Sequence, residues 1–212
     1  MLRPLLLVHR YLGIAICLVM AAWCLSGMVM MYVPYPRLAA ADRLAALAPL
    51  RFDNCCMVAG LRARFADRQI DRFWVEMLAN RPTLYVSPDF GPITRVDLQS
   101  GIELDEIGPA TAAQVAQRYL DANSPLVYTG LIAQDQWTVS GDYDELRPLH
   151  RFAAGDRRGT TLYVSSVTGE LAQRTTRWQR RWNYVGAVTH WLYATPLRAN
   201  ALLWSRLVDW LA

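Results

Sequence analysis

Three histidines, His9, His150 and His190, are the side chains in this sequence best suited to holding a metal. Imidazole is a common axial ligand of haem iron. His9 stands beside Arg10 at the edge of an uncharged stretch. It reads either as an interfacial polar residue or as an iron ligand at the mouth of a helix, where an ionisable residue is a functional candidate. His190 is followed by Trp191 and Tyr193, rings that either cover a porphyrin face or anchor the chain at an interface. His150 lies between Leu149 and Arg151 and reads as a surface histidine on a strand, with binding of an anionic iron chelate as the alternative. The acidic run Asp142, Asp144 and Glu145 can attract a cation, but between two strands it reads as a solvated loop. No H-E-x-x-H, no G-x-S-x-G and no phosphate-binding glycine loop occurs, so nothing here points to a hydrolase.

The four cysteines form no disulfide framework. Cys17 and Cys24 fall seven apart, on one face of a helix, inside the apolar stretch. Cys55 and Cys56 are neighbours, a spacing at which a bridge is geometrically disfavoured. The absence of C-x-x-C and C-x-x-C-H excludes a thioredoxin-type site and covalent haem attachment.

The elements that must position these residues begin with the apolar stretch. From Tyr11 to Pro36 there are 26 residues without Asp, Glu, Lys, Arg or His. As a helix they extend roughly 39 Å, more than the ~30 Å hydrocarbon core requires. A soluble helix of that length would carry a polar face, whereas only Gly13, Ser26 and Gly27 interrupt this one. The basic start and the Ala39-Ala40-Ala41 tract fit a signal peptide, but the apolar run exceeds the about 7–15 residues of a signal core. The stretch therefore reads as a membrane span. Arg3 and Arg10 precede it, which places the N-terminus in the cytoplasm. The formal net charge is +4 and the basic residues are scattered, apart from a cluster from Arg174 to Arg181, so no nucleic-acid partner is expected.

Beyond the span, the spacing predicts a helix from Pro49 to Phe65, then strands at Phe73–Leu78, Thr83–Ser87 and Ile93–Leu98. A second helix over Thr111–Leu120, with Ala112, Val115, Ala116 and Tyr119 as its apolar stripe, precedes strands at Gln136–Ser140, Leu149–Ala153 and Thr161–Ser165. This is one pattern used twice. Val96-Asp97-Leu98-Gln99-Ser100-Gly101 aligns with Val164-Ser165-Ser166-Val167-Thr168-Gly169, and Trp74 and Trp137 each open a first strand. Aligning Leu84–Ser87 with Leu162–Ser165 gives more local identity but breaks the strand order.

Five of the eight tryptophans lie between Trp178 and Trp210, the composition of a membrane–water interface. Tyr184–Tyr193 reads as an interfacial helix. Leu202–Ala212 reads as the first turns of a second membrane helix, too short to span. The expected fold class is α+β. It comprises a transmembrane helix with a short cytoplasmic N-terminus over 1–34, helix-plus-antiparallel-sheet repeats over 35–109 and 110–177, and an interfacial or partial transmembrane helix over 178–212.

Leu7-Val8-His9-Arg10-Tyr11-Leu12-Gly13 and the apolar helix after it resemble the opening of PepSY-associated transmembrane proteins. Asp135–Val139, Arg147-Pro148-Leu149-His150-Arg151, Gly159–Ser166 and the stretch from Trp182-Asn183 to His190-Trp191-Leu192-Tyr193 extend the resemblance along nearly the whole chain. It implies PepSY-like repeats in the periplasm, a bacterial inner-membrane location, and an N-terminal portion of a longer protein whose further helices are partners. Some members resemble iron-regulated, haem-containing reductases of ferric siderophores, and others have no assigned activity. The implied function is electron transfer to a ferric siderophore. His9 and His190 would ligate haem b irons near opposite faces of the bilayer, with partner ligands on helices outside this chain. Along the helix, His9 and Met31 lie roughly 33 Å apart, so the two histidines cannot share one iron. The alternative is a non-catalytic, membrane-tethered binding or regulatory module.

Cysteine labelling or reporter fusions should place residues 40 to 180 outside the cytoplasm. Recovery of the full-length protein in soluble form without detergent would overturn the membrane reading.

Overall fold

A computed structural model describes residues 2–53, 55–56, 60–120 and 124–211. In chain order the elements are α1 (Leu2–Tyr32), α2 (Ala40–Ala46), α3 (Leu61–Arg64), β1 (Ile70–Leu78), β2 (Arg81–Pro88), β3 (Thr94–Asp97) and α4 (Pro109–Gln117). They continue with β4 (Leu126–Ile132), a 3-10 helix (Gly141–Leu146), β5 (Leu149–Ala154), β6 (Thr161–Ser165) and β7 (Leu171–Thr175). The last are α5 (Arg177–Val185), α6 (Ala187–His190), α7 (Thr195–Arg198) and α8 (Ala201–Leu211). The chain divides into two compact units, residues 37–174 and residues 1–36 with 175–212.

The unit of residues 37–174 holds two antiparallel sheets, ordered β1-β2-β3 and β4-β5-β6-β7. Its main core sets Ala112, Val115 and Ala116 of α4 against Phe152, Leu162, Val164 and Leu171, with Leu78 and Ile107 packed in. The apolar stripe read from the sequence is thus the buried face of α4. Proline at the first turn of α4 loses nothing there, because an N–H at that position has no helical partner. A smaller cluster joins Phe65, Val86 and Val96.

The two aligned sequence segments form the same hydrogen-bonded turn. Gly101 N–H donates to the Asp97 carbonyl at 2.7 Å, and Gly169 N–H to the Ser165 carbonyl at 3.0 Å. Asp97 N–H donates to the Ile102 carbonyl and Ser165 N–H to the Glu170 carbonyl, each at 2.9 Å. Within the turns, Gln99 N–H donates to Asp97 Oδ1 and Val167 N–H to Ser165 Oγ. A short polar side chain at the turn's first position accepts in both cases, as the turn chemistry requires.

Three expectations change. Gln136–Ser140 is not a strand, and the first strand of the second sheet is β4, earlier in the chain. Asp135 decides this: its carboxylate accepts from Trp137 N–H at 2.9 Å and its carbonyl from Thr138 N–H, so local side-chain bonds outcompete a ladder. Trp137 therefore sits in a turn and is not the counterpart of Trp74 in β1. Between Pro49 and Phe65 the described helix is only α3, preceded by Gly60 at φ 88°, a left-handed conformation that interrupts a helix. Asn54 and Met57–Ala59 of that stretch lie outside the described residues. Cys55 and Cys56 are joined as an adjacent disulfide.

In the other unit α1 runs for 31 residues, and its Arg3–Tyr32 stretch has mean hydropathy 2.3, so it is long and apolar enough to cross a membrane. The helix expected over Tyr184–Tyr193 is divided at Gly186 into α5 and α6. A Cβ on Gly186 would lie 3.0 Å from Val29 Cγ1 and 3.3 Å from the Trp182 carbonyl, so glycine lets the chain pass close to α1.

Gly169 combines φ 77° with no room for a side chain, since a Cβ would collide with Ile107 and Leu78. Gly169→Ala should destabilise the 37–174 unit by about 2–4 kcal/mol, from left-handed strain plus overpacking. Thermal denaturation checks this, and a loss below about 0.5 kcal/mol would contradict the packing.

Candidate functional site

His190 ends α6 and packs against α1 within the same unit. Ser26, the only serine or threonine of α1, donates its O–H to the Trp23 carbonyl one turn back at 3.0 Å. His190 Nδ1 lies 3.2 Å from that carbonyl and 3.1 Å from Ser26 Oγ. With the proton on Nδ1, the ring donates to the Trp23 carbonyl and Nε2 keeps a lone pair to which no described residue bonds; in the other tautomer Nδ1 accepts from the Ser26 hydroxyl. A backbone carbonyl on one ring nitrogen is the arrangement that orients an imidazole for metal ligation through the other. Gly27 makes the approach possible, because a Cβ there would stand 3.3 Å from His190 Cε1. Trp23 flanks the ring, with centroids 6.2 Å apart.

Trp191 and Tyr193 belong to a ring cluster with Tyr35 and Trp204. Tyr35 lies 6.2 Å from Trp191 and 5.7 Å from Tyr193, and Tyr193 lies 6.0 Å from Trp204. Arg198 sits over both Tyr193 and Trp204. These rings lock the loop after α6 to the residues following α1.

His9 is exposed on α1. The helical rise from His9 to Ser26, the level of His190, is about 25 Å, so the structure keeps the two histidines apart. His190 lies about a turn and a half deeper along α1 than Met31.

The reading of His150 as a surface residue is corrected. It is only 3% exposed, on β5, with Nε2 2.6 Å from the Ile107 carbonyl and Nδ1 3.2 Å from the Tyr128 hydroxyl. Both nitrogens are engaged, Nε2–H donating and Nδ1 accepting, so this histidine ties the α4-side loop to the sheet and has no lone pair to offer a chelate. Its alternation along β5 matched a strand, but the burial came from Ile107, a contact 43 residues away. In the acidic run, Asp144 pairs with Arg147 and Asp142 lies 3.9 Å from Arg37, both on exposed carboxylates. Among the described residues no three His, Cys, Asp or Glu side chains gather as a metal cluster.

A second feature lies within the 37–174 unit. Arg43 of α2 bridges Glu76 of β1 at 2.8 Å and Glu170 at 3.3 Å. Burial raises the Glu170 carboxyl above its ordinary 4.5, partly offset by the Arg43 guanidinium. Burial works against the Arg43 charge, but the two carboxylates outweigh it and its pKa is raised. Burial also pushes the Tyr85 phenol up. Beside this triad opens a groove of about 510 Å³ lined by Trp74, Arg72, Glu145 and Thr168 among others. Trp74 stacks flat on Tyr85, centroids 5.1 Å apart, with Arg72 over Trp74 at 4.9 Å. No spacing signal marks this triad, whose members lie on three distant segments. For the His190 site the signal was present in Ser26 and Gly27, the polar and small residues of an otherwise apolar helix.

Fold and site together define an α+β chain with a candidate membrane span and a histidine held against it. Comparison with protein-family models, with curated proteins and with solved structures finds no match.

Glu170, raised in the folded state, contributes stability that is complete below 4.5 and is lost as pH rises through its raised value. Arg43→Met removes the cation between two carboxylates. It should destabilise the unit by about 1–3 kcal/mol near neutral pH, below the cost of a fully buried pair because solvent still reaches these groups. The deficit should shrink as pH falls and Glu170 takes up its proton. Denaturation of both proteins across pH 4–8 tests this; a deficit that grows towards acid would refute it.

Proposed function

We propose that this chain is a PepSY-type bacterial inner-membrane protein, part of a haem-containing electron-transfer system that reduces ferric siderophores. The observation that carries the reading is His190. Its Nδ1 is engaged by the Trp23 carbonyl and Ser26 Oγ, and its Nε2 has no described partner beside an apolar helix. With the proton on Nδ1, Nε2 would be free to hold a haem iron, and His9 at the other end of α1 would hold a second, separate one. Bound haem supplies one-electron chemistry. The residues of this chain hold and orient the imidazole, through Trp23, Ser26 and Gly27. In this reading α1 crosses the membrane with its N-terminus in the cytoplasm, the 37–174 unit is periplasmic, and its two sheets with their shared turn are PepSY-like repeats. Opposing iron ligands would come from further helices of the full-length protein.

A second reading, a tethered non-catalytic binding or regulatory module, is supported by the groove beside Arg43, Glu76 and Glu170, which has the volume of a small-ligand site.

His9→Ala and His190→Ala in the full-length protein should each remove one haem and leave the other, read from the pyridine haemochrome of detergent-purified material. The wild type should give a low-spin b-type spectrum, because no C-x-x-C-H motif can attach the porphyrin. Absence of haem in the full-length wild type, or unchanged haem in both variants, would leave the module reading standing.

A further inference from the structure

Helix α5 is amphipathic the wrong way round for a soluble protein. The face it turns to the protein is polar: Asn183 is 0% exposed and donates from Nδ2 to the Pro34 carbonyl at 3.1 Å, just past the end of α1. Gln179, on the same side, closes a capping box with Thr176. The opposite face is aromatic and apolar. Trp178 is 61% exposed, Trp182 39% and Val185 53%, and the two indoles meet edge to face at 5.4 Å, one helical turn apart. At 100° per residue these three side chains form one stripe, and Arg181 and then Arg177 border it on one side. Both arginines are exposed, and among the described residues neither makes an ion pair. No acidic residue occurs in α5.

An uncovered indole pair costs free energy in water, and folding has placed the polar side chain inside instead. What covers the stripe must therefore be apolar and bordered by negative charge. The Asn183–Pro34 bond fixes where this happens, at the level at which the apolar helix ends. A bilayer offers that sequence of environments: acyl chains for the stripe, carbonyl and glycerol depth for the indole N–H groups, phosphates for the arginines.

Resting on the membrane reading of α1, we propose that α5 is an anionic-lipid-binding helix. Trp178, Trp182 and Val185 enter the headgroup–acyl boundary beside the Pro34 end of α1, while Arg177 and Arg181 pair with phospholipid phosphates.

The test uses the full-length protein in detergent, titrated with phosphatidylglycerol or phosphatidylcholine and read by native mass spectrometry. Each surface arginine is worth about fivefold in affinity for an anionic headgroup. The wild type should hold phosphatidylglycerol about 20- to 30-fold more tightly than phosphatidylcholine, and R177Q/R181Q should lose that preference. R177K/R181K should largely keep it, which separates charge from folding. In nanodiscs of brominated phosphatidylglycerol, W178F/W182F should lack a strongly quenched part of the wild-type fluorescence. Equal retention of the two lipids overturns the proposal, as does unchanged quenching in W178F/W182F or cross-linking of W178C between two copies of the chain. If the protein still requires detergent in those cases, α1 remains a span and only the α5 proposal falls. If it is soluble without detergent, both fall.

Discussion

The unit built on α1 depends on a few hydrogen bonds to backbone carbonyls near the end of that helix. Trp23 O receives Ser26 and lies within hydrogen-bond distance of His190 Nδ1, and Pro34 O receives Asn183. An apolar helix offers few side-chain partners, Ser26 being the one used here, so a segment that docks on it with a polar group turns mainly to carbonyls. The consequence runs in both directions. Asn183 and His190 are held because they reach such acceptors. The glycines Gly27 and Gly186 are needed because the donors reach them only when the two backbones come close. Small residues that permit close approach, with polar groups bonding across the contact, are the usual way helices associate where the hydrophobic effect gives no preference.

His190 is positioned by the same constraint: its Nδ1 has the Trp23 carbonyl and Ser26 Oγ as partners, and no described residue bonds its Nε2. His150 has the opposite arrangement, a carbonyl on Nε2 and a hydroxyl on Nδ1, and is a structural residue for that reason. Two histidines of the same sequence thus differ in that, among the described residues, one has both ring nitrogens bonded and the other only one.

In the 37–174 unit the organising charge is Arg43. It reaches Glu76 on β1 and Glu170 on the segment entering β7, so one guanidinium ties α2 to both sheets. The groove beside it is walled by Trp74, held in place by its stack on Tyr85.

The sequence by itself determined the elements whose signal is local. Absence of charge over Tyr11–Pro36 is enough for a long apolar helix, because composition and length decide that outcome residue by residue. The stripe Ala112, Val115 and Ala116 is enough for the buried face of α4, and the aligned segments ending at Gly101 and Gly169 are enough for two like turns, since Gly at φ of 70° and 77° is a local requirement. Tertiary structure decided what depends on partners far along the chain. Whether His150 is buried, what His190 Nδ1 meets, and whether Arg43 finds two carboxylates are settled by contacts 43, 167 and 127 residues apart. It also decided which face of α5 is hidden. A helical wheel shows a tryptophan stripe and a polar edge, and the ordinary expectation buries the stripe. Only the Asn183–Pro34 bond reverses it, because a hydrogen bond to an otherwise unused carbonyl fixes the helix's rotation, which hydrophobicity alone leaves to the surroundings.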